Sequence, residues 1–171
     1  MMRALVLLAA LVLGGCAQIP DGVEAVAGFD AERYLGRWYE IARLDHRFER
    51  GLDNISATYT ARPDGGIDVL NRGYDRAKGE WREAQGKARF VGARDRAMLE
   101  VSFFGPFYGG YNVVDLDPDY QLALVVGPSR DYLWVLSRRP DPPREAVERV
   151  VRRAAELGFD TSALIYVQHD R

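Results

Sequence analysis

Only one cysteine, Cys16, occurs in the 171 residues, so the chain cannot form an internal disulfide or a cysteine-based zinc site. Histidine is almost as scarce. His46 and His169 have no partner at i, i+4 spacing and no cysteine companion, so the usual metal-ligand pattern is missing. There is no Gly-x-Ser-x-Gly elbow, and "RPDGG" is a hairpin turn rather than a loop that cradles phosphate. The common signs of a hydrolase, a metalloenzyme or a nucleotide-binding enzyme are therefore absent, and neither metal nor cofactor is expected. An excess of one charge sign is lacking too. The 23 basic and 25 acidic residues are scattered, which leaves no electrostatic footprint for nucleic acid. Finally, no apolar run is long enough to span a bilayer as a mature helix. The stretch "ALVLLAALVL" stops well short of the ~20 residues required.

That short run has another reading. Arg3 precedes it as a positive n-region, and the small residues "LGGC" close it, so residues 1–15 form a secretory signal peptide. Leu13-Gly14-Gly15-Cys16 resembles the lipobox of bacterial lipoproteins, in which the cysteine becomes the acylated first residue. The resemblance implies that Cys16 is the lipidation site, that 16–28 form a lipidated tether and that 29–171 form the folded domain. Ala17 after the cysteine points to the outer membrane, since aspartate at this position commonly signals inner-membrane retention. Cleavage before Cys16 leaves about 156 residues, enough for one domain with a sizeable core.

Along the mature chain, strands recur at short spacing: 38–44, 54–61, 66–75, 80–91, 97–104, 111–117, 120–127 and 132–138. Turn signals such as "RAKG", "GPFYGG", "DPD" and "GPSRD" separate them. Connections this short exclude the helical crossovers of a parallel sheet and imply an antiparallel meander. The expected fold is all-β: an eight-stranded up-and-down barrel. After "RRPDPP", the residues Val147, Val150, Val151 and Ala154 line one face of a helix, with Gly158 as its C-cap. A short final strand, "ALIYVQH", ends the chain.

Alternation within the strands separates an inner face from an outer one. Ile55, Ala57 and Tyr59 alternate with Ser56, Thr58 and Thr60; Ala84, Gly86, Ala88 and Phe90 alternate with Glu83, Gln85, Lys87 and Arg89. Eight antiparallel strands enclose either packed side chains or one small ligand. Small residues on one wall facing Val101, Phe103, Tyr111, Val113, Tyr132 and Trp134 favour a hollow interior over a filled core.

Three ordered motifs resemble the lipocalin signatures: "GRWYEIAR" (36–43), "VVDLDPDYQLALV" (113–125) and "YLWVLSRRP" (132–140). The second reads "LDPDY" where Thr-Asp-Tyr is commoner, and the family's frequent disulfide is absent. "FFGPFYGGYNVV" and "GPSRDYLWVLSR" are especially similar to bacterial outer-membrane lipocalins, and the resemblance covers the whole chain.

It implies that Gly36, Trp38 and Arg138 are architectural. Trp38 closes the narrow end of the barrel and Arg138 stacks across it, while Asp117, Asp119 and Tyr120 are turn residues. The ligand wall is then expected from the inward set: Ala57, Tyr59, Val69, Asn71, Ala84, Gly86, Val101, Phe103, Tyr111, Val113, Tyr132 and Trp134. The implied ligand is a fatty acid or lysophospholipid. The implied place is the periplasm-facing side of the outer membrane, reached through a lipid anchor. Asp45 and Glu49 are read as solvated carboxylates of a loop at the open end, where His46 also lies. Two alternatives stay open: a lipid-modifying enzyme on a lipocalin-like barrel, and an envelope scaffold with no ligand. Whether the chain pairs as a homodimer is also left open.

Overall fold

The computed structural model describes residues 18–171; the expected signal peptide and lipidation site, Cys16, lie outside the described residues. The barrel is built from β1 (Gly36–Arg43), β2 (Leu52–Ala61), β3 (Ile67–Asp75), β4 (Glu80–Phe90), β5 (Met98–Phe104), β6 (Phe107–Leu116), β7 (Leu122–Val126) and β8 (Leu133–Ser137). Each strand pairs antiparallel with the next, and β1 pairs with both β2 and β8, which closes the sheet. Closure removes the free edges that an open sheet would present. The connections 44–51, 76–79, 105–106 and 127–132 gather at one end, and those after β2, β4, β6 and β8 at the other.

Two apolar layers result from the alternation of side chains. Trp38, Tyr59, Val69, Leu99, Val113, Val125 and Leu136 point into the barrel. Leu122, Leu124, Val126, Leu133 and Val135 point out of it, beneath helix α2 (Arg144–Glu156). That helix buries Val147, Val150 and Ala154 on this wall, and Gly158 follows it at φ +84°, the left-handed geometry that ends a helix. β7 and β8 are thus covered on both faces, which is why they read as nearly unbroken apolar runs.

Residues 18–28 lie along the barrel: Val23 is buried, Val26 N–H donates to Val113 O at 2.9 Å, and Ala27 bridges Arg96. The final strand is only β9 (Ile165–Tyr166), laid on β1. Residues Thr161–Ala163 instead form a 3-10 turn capped by Asp160. The tail beyond β9 is held by Asn54, whose N–H donates to Gln168 O at 2.8 Å and whose Oδ1 accepts from Asp170 N at 2.8 Å.

Candidate ligand-binding cavity

The floor is built first, from the chain entering β1. Asp30 caps the single turn α1 (Ala31–Tyr34) by accepting from Glu32 N and Arg33 N. This turn sets Tyr34 beneath the barrel, where its carbonyl accepts from Trp38 Nε1 at 2.8 Å. Trp38 is 0% exposed. Arg138 lies 4.0 Å from its ring centroid and donates to the carbonyls of Arg37, Arg33 and Tyr120 at 3.0, 2.8 and 3.2 Å. Gly36 has φ +92°, a left-handed conformation that favours glycine, and a Cβ there would press on Arg138 Nη1 at 3.3 Å. Tyr120 is held in the turn by Asp117 and accepts from Asp30 N through its hydroxyl at 2.9 Å.

Above this floor lies a cavity of about 110 Å³. Its deep end carries Phe29 and three linked phenols: Tyr111 meets Tyr34 at 2.7 Å and Tyr59 at 2.8 Å. Burial raises all three phenols above their ordinary pKa, so they stay neutral. The wall is mostly apolar: Ile55, Ala57, Ile67, Val69, Ala88, Leu99, Val101, Phe103 and Leu136, with Asn71 among them.

The mouth is polar and charged. Glu40 and Glu49 line it beside Phe48 and Trp134. Arg43, 3% exposed, donates to Glu40 Oε1 at 3.1 Å and to Glu49 O at 3.1 Å. Trp134 Nε1 donates to Glu49 Oε2 at 3.1 Å, and His46 Nε2 stands 2.9 Å from the same oxygen. Burial, and after it the negative charge of Glu49, push the Glu40 carboxyl well above the usual carboxylate range; Arg43 pulls the other way.

Of the residues expected on the wall, Ala57, Tyr59, Val69, Asn71, Val101, Phe103, Tyr111 and Trp134 lie there together. Four do not. Ala84 has the inward parity, but β5 pairs with β4 only over Lys87–Phe90, so residue 84 stands past the rim and is exposed. Gly86 is covered by Phe103, whose Cδ1 would lie 2.8 Å from an added Cβ. Val113 is sealed in the packed lower core opposite Val125. Tyr132 precedes β8, with its ring 6.2 Å from that of His46, and backs the mouth without lining it.

The largest correction concerns the β1–β2 connection. Of the two carboxylates expected to be solvated, Glu49 is buried, as is His46 beside it, and Asp45 faces water, where it pairs with Arg50. Glu40 was legible in principle, since it shares the parity of Trp38. Arg43 was not. A register shift between Glu40 and Ala42 breaks the alternation and turns Arg43 inward. Among the described residues no group of three or more His, Cys, Asp or Glu could hold a metal ion, and no helix is long and apolar enough to cross a membrane.

A closed antiparallel barrel around an apolar cavity, sealed by a Trp–Arg pair and followed by one helix, defines a calyx-type binding fold. Residues 29–169 match the lipocalin-like domain family, and the chain belongs to it. It is 58% identical over 149 residues, 87% of its own length and 84% of the relative's, to the outer membrane lipoprotein Blc of Escherichia coli K12. Against Blc of Vibrio cholerae the identity is 53% over 169 residues, 98% and 99% of the two chains. Among solved structures, insecticyanin from the tobacco hornworm Manduca sexta superposes with a TM-score of 0.73. The match covers 90% of this chain and 87% of that one at 20% identity, and it speaks to the fold alone.

Proposed function

We propose that this lipocalin binds amphiphilic lipids, fatty acids or lysophospholipids, and stores or carries them in the bacterial cell envelope. The observation that carries the reading is the cavity itself: a narrow apolar shaft with neutral phenols at its base and charged groups at its mouth. Its ~110 Å³ is smaller than the ~300–1,000 Å³ of pockets for drug-sized molecules, which favours a slender chain over a ring system. Each methylene buried there contributes about 0.8 kcal/mol before the costs of binding. The role is binding and release without turnover.

The relatives named as outer membrane lipoproteins support a place at the outer membrane, facing the periplasm and held by acylated Cys16. Cys16→Ala then frees the protein from the membrane fraction; a variant that still sediments with membranes as wild type does overturns the anchor.

The cavity is tested at Ala57, whose side chain lies on the wall opposite Asn71. Ala57→Trp fills the shaft. Titration calorimetry is expected to show at least about tenfold weaker binding of long-chain lipid. A melting curve is expected to move little, since filling a hollow avoids the ~1–3 kcal/mol cost of overpacking a solid core. Strong destabilisation, together with no lipid binding by the wild type, would mean a packed barrel and would remove the carrier reading.

A further inference from the structure

We propose that the mouth of the cavity is a subsite for a cationic head group: Glu40 and Glu49, flanked by Phe48 and Trp134, select amphiphiles that carry an ammonium over those that end in a carboxylate. This rests on the reading that an amphiphile occupies the cavity, and adds which chemistry its head must have.

The first argument is charge. Two carboxylates are buried at the mouth, at 3% and 8% exposure, and the one guanidinium buried with them is Arg43. The carboxylates outnumber the guanidinium two to one, and the remaining group at hand is the His46 ring, whose Nε2 stands 2.9 Å from Glu49 Oε2. A buried charge without a partner is costly, and such a site takes up a proton or a cation. In the empty cavity a proton on Glu40 meets the need, consistent with the raised pKa of that carboxyl. A ligand ammonium placed among the same oxygens meets it directly and releases the proton.

The second argument is position. The deep end offers no rival place for a head group. There the Tyr111 hydroxyl already bridges Tyr34 and Tyr59.

The third argument is the shape of the surroundings. Phe48 and Trp134 line the same cavity as the two glutamates, and Trp134 Nε1 donates to Glu49 Oε2 at 3.1 Å. Aromatic faces beside carboxylates attract an alkylammonium through the ring quadrupole as well as through the formal charge. A carboxylate head would face Glu40 and Glu49, with both Arg43 Nη groups already engaged by Glu40 Oε1 and Glu49 O.

The test uses three probes with one tail, dodecyltrimethylammonium, dodecanoate and dodecanol, titrated below their aggregation concentrations into the full-length protein carrying Cys16→Ala. The cation is expected to bind at least about tenfold more tightly than dodecanoate, the step that one ion pairing with modest cation–π support provides. Glu49→Gln, and independently Glu40→Gln, should shrink that ratio to about threefold or less. A second readout is pH. Glu40 faces Arg43 on its own strand, Glu49 and His46 from the 44–51 connection, Tyr59 from β2 and the uncharged Trp134 from β8. Release of its proton makes the affinity for the cation rise with pH, while that for dodecanol stays level. Equal or tighter binding of dodecanoate overturns the proposal, as does a preference that survives both glutamine variants. Dodecanol bound without any charge preference overturns this inference and leaves the carrier reading standing; failure of all three probes to bind overturns both.

Discussion

The closed and open ends of this barrel each set an arginine beside a tryptophan, and they treat it differently. At the closed end Arg138 covers Trp38 and directs its nitrogens at three backbone carbonyls. Carbonyls are fixed by the fold, so the arrangement is complete and cannot be traded for another. At the open end Arg43 meets one carbonyl and one carboxylate, and its Nε has no partner. Its partner Glu40 is a carboxyl that burial pushes well above the usual range, so its charge can be changed by a proton or a ligand. A completed set of hydrogen bonds stabilises one state. An incomplete, titratable set holds several states close in free energy, which is what a site that loads and unloads requires.

The comparison breaks most visibly if the closed end proves dispensable. Trp38→Ala should destabilise the protein by about 3–5 kcal/mol, the usual cost of removing a fully buried aromatic ring. Arg138→Ala should cost less, about 2 kcal/mol. The carbonyls it leaves are partly reached by water at this half-buried position, so only part of the charge-assisted bonding is lost. Denaturant midpoints measured at constant m-value decide both. An unmoved midpoint for Trp38→Ala would mean that the floor is not where the fold is anchored.

How far each end could be read from the sequence follows from the same contrast. At the closed end Gly36, Trp38 and Arg138 were legible as a group through the resemblance of "GRWYEIAR" and "YLWVLSRRP" to the lipocalin signatures, and the structure places them side by side. On β2 and β3, parity alone placed Ala57, Tyr59, Val69 and Asn71 on one face, and they share the cavity. Parity says nothing about height, however. Ala84 has the right face but rises past the point where β5 pairs with its strand. The open end was least legible because its chemistry sits where periodicity fails. Arg43 follows a register shift, and His46 and Glu49 come from a connection that is buried although it reads as polar. Only tertiary closure brings Trp134, 85 residues further on, to the Glu49 carboxylate.

The prediction that sharpens the comparison most is the pH dependence of Glu40→Gln. Burial and the charge of Glu49 raise the Glu40 carboxyl in the folded protein above the ~4.3 of an unfolded chain. Between those two values the folded state holds the extra proton. Stability is therefore greatest below the unfolded value and falls as pH rises through the folded one, with a slope of at most about 1.4 kcal/mol per pH unit for a single proton. Glutamine keeps the shape and cannot ionise. The variant should match wild type near pH 4 and become the more stable of the two by pH 8. Trp38→Ala, at the settled end, should instead show a cost that is the same at both pH values. Thermal or urea unfolding across this range makes the measurement. Parallel curves for wild type and Glu40→Gln would mean that Glu40 is ionised against Arg43 throughout, and that the open end is as settled as the closed one.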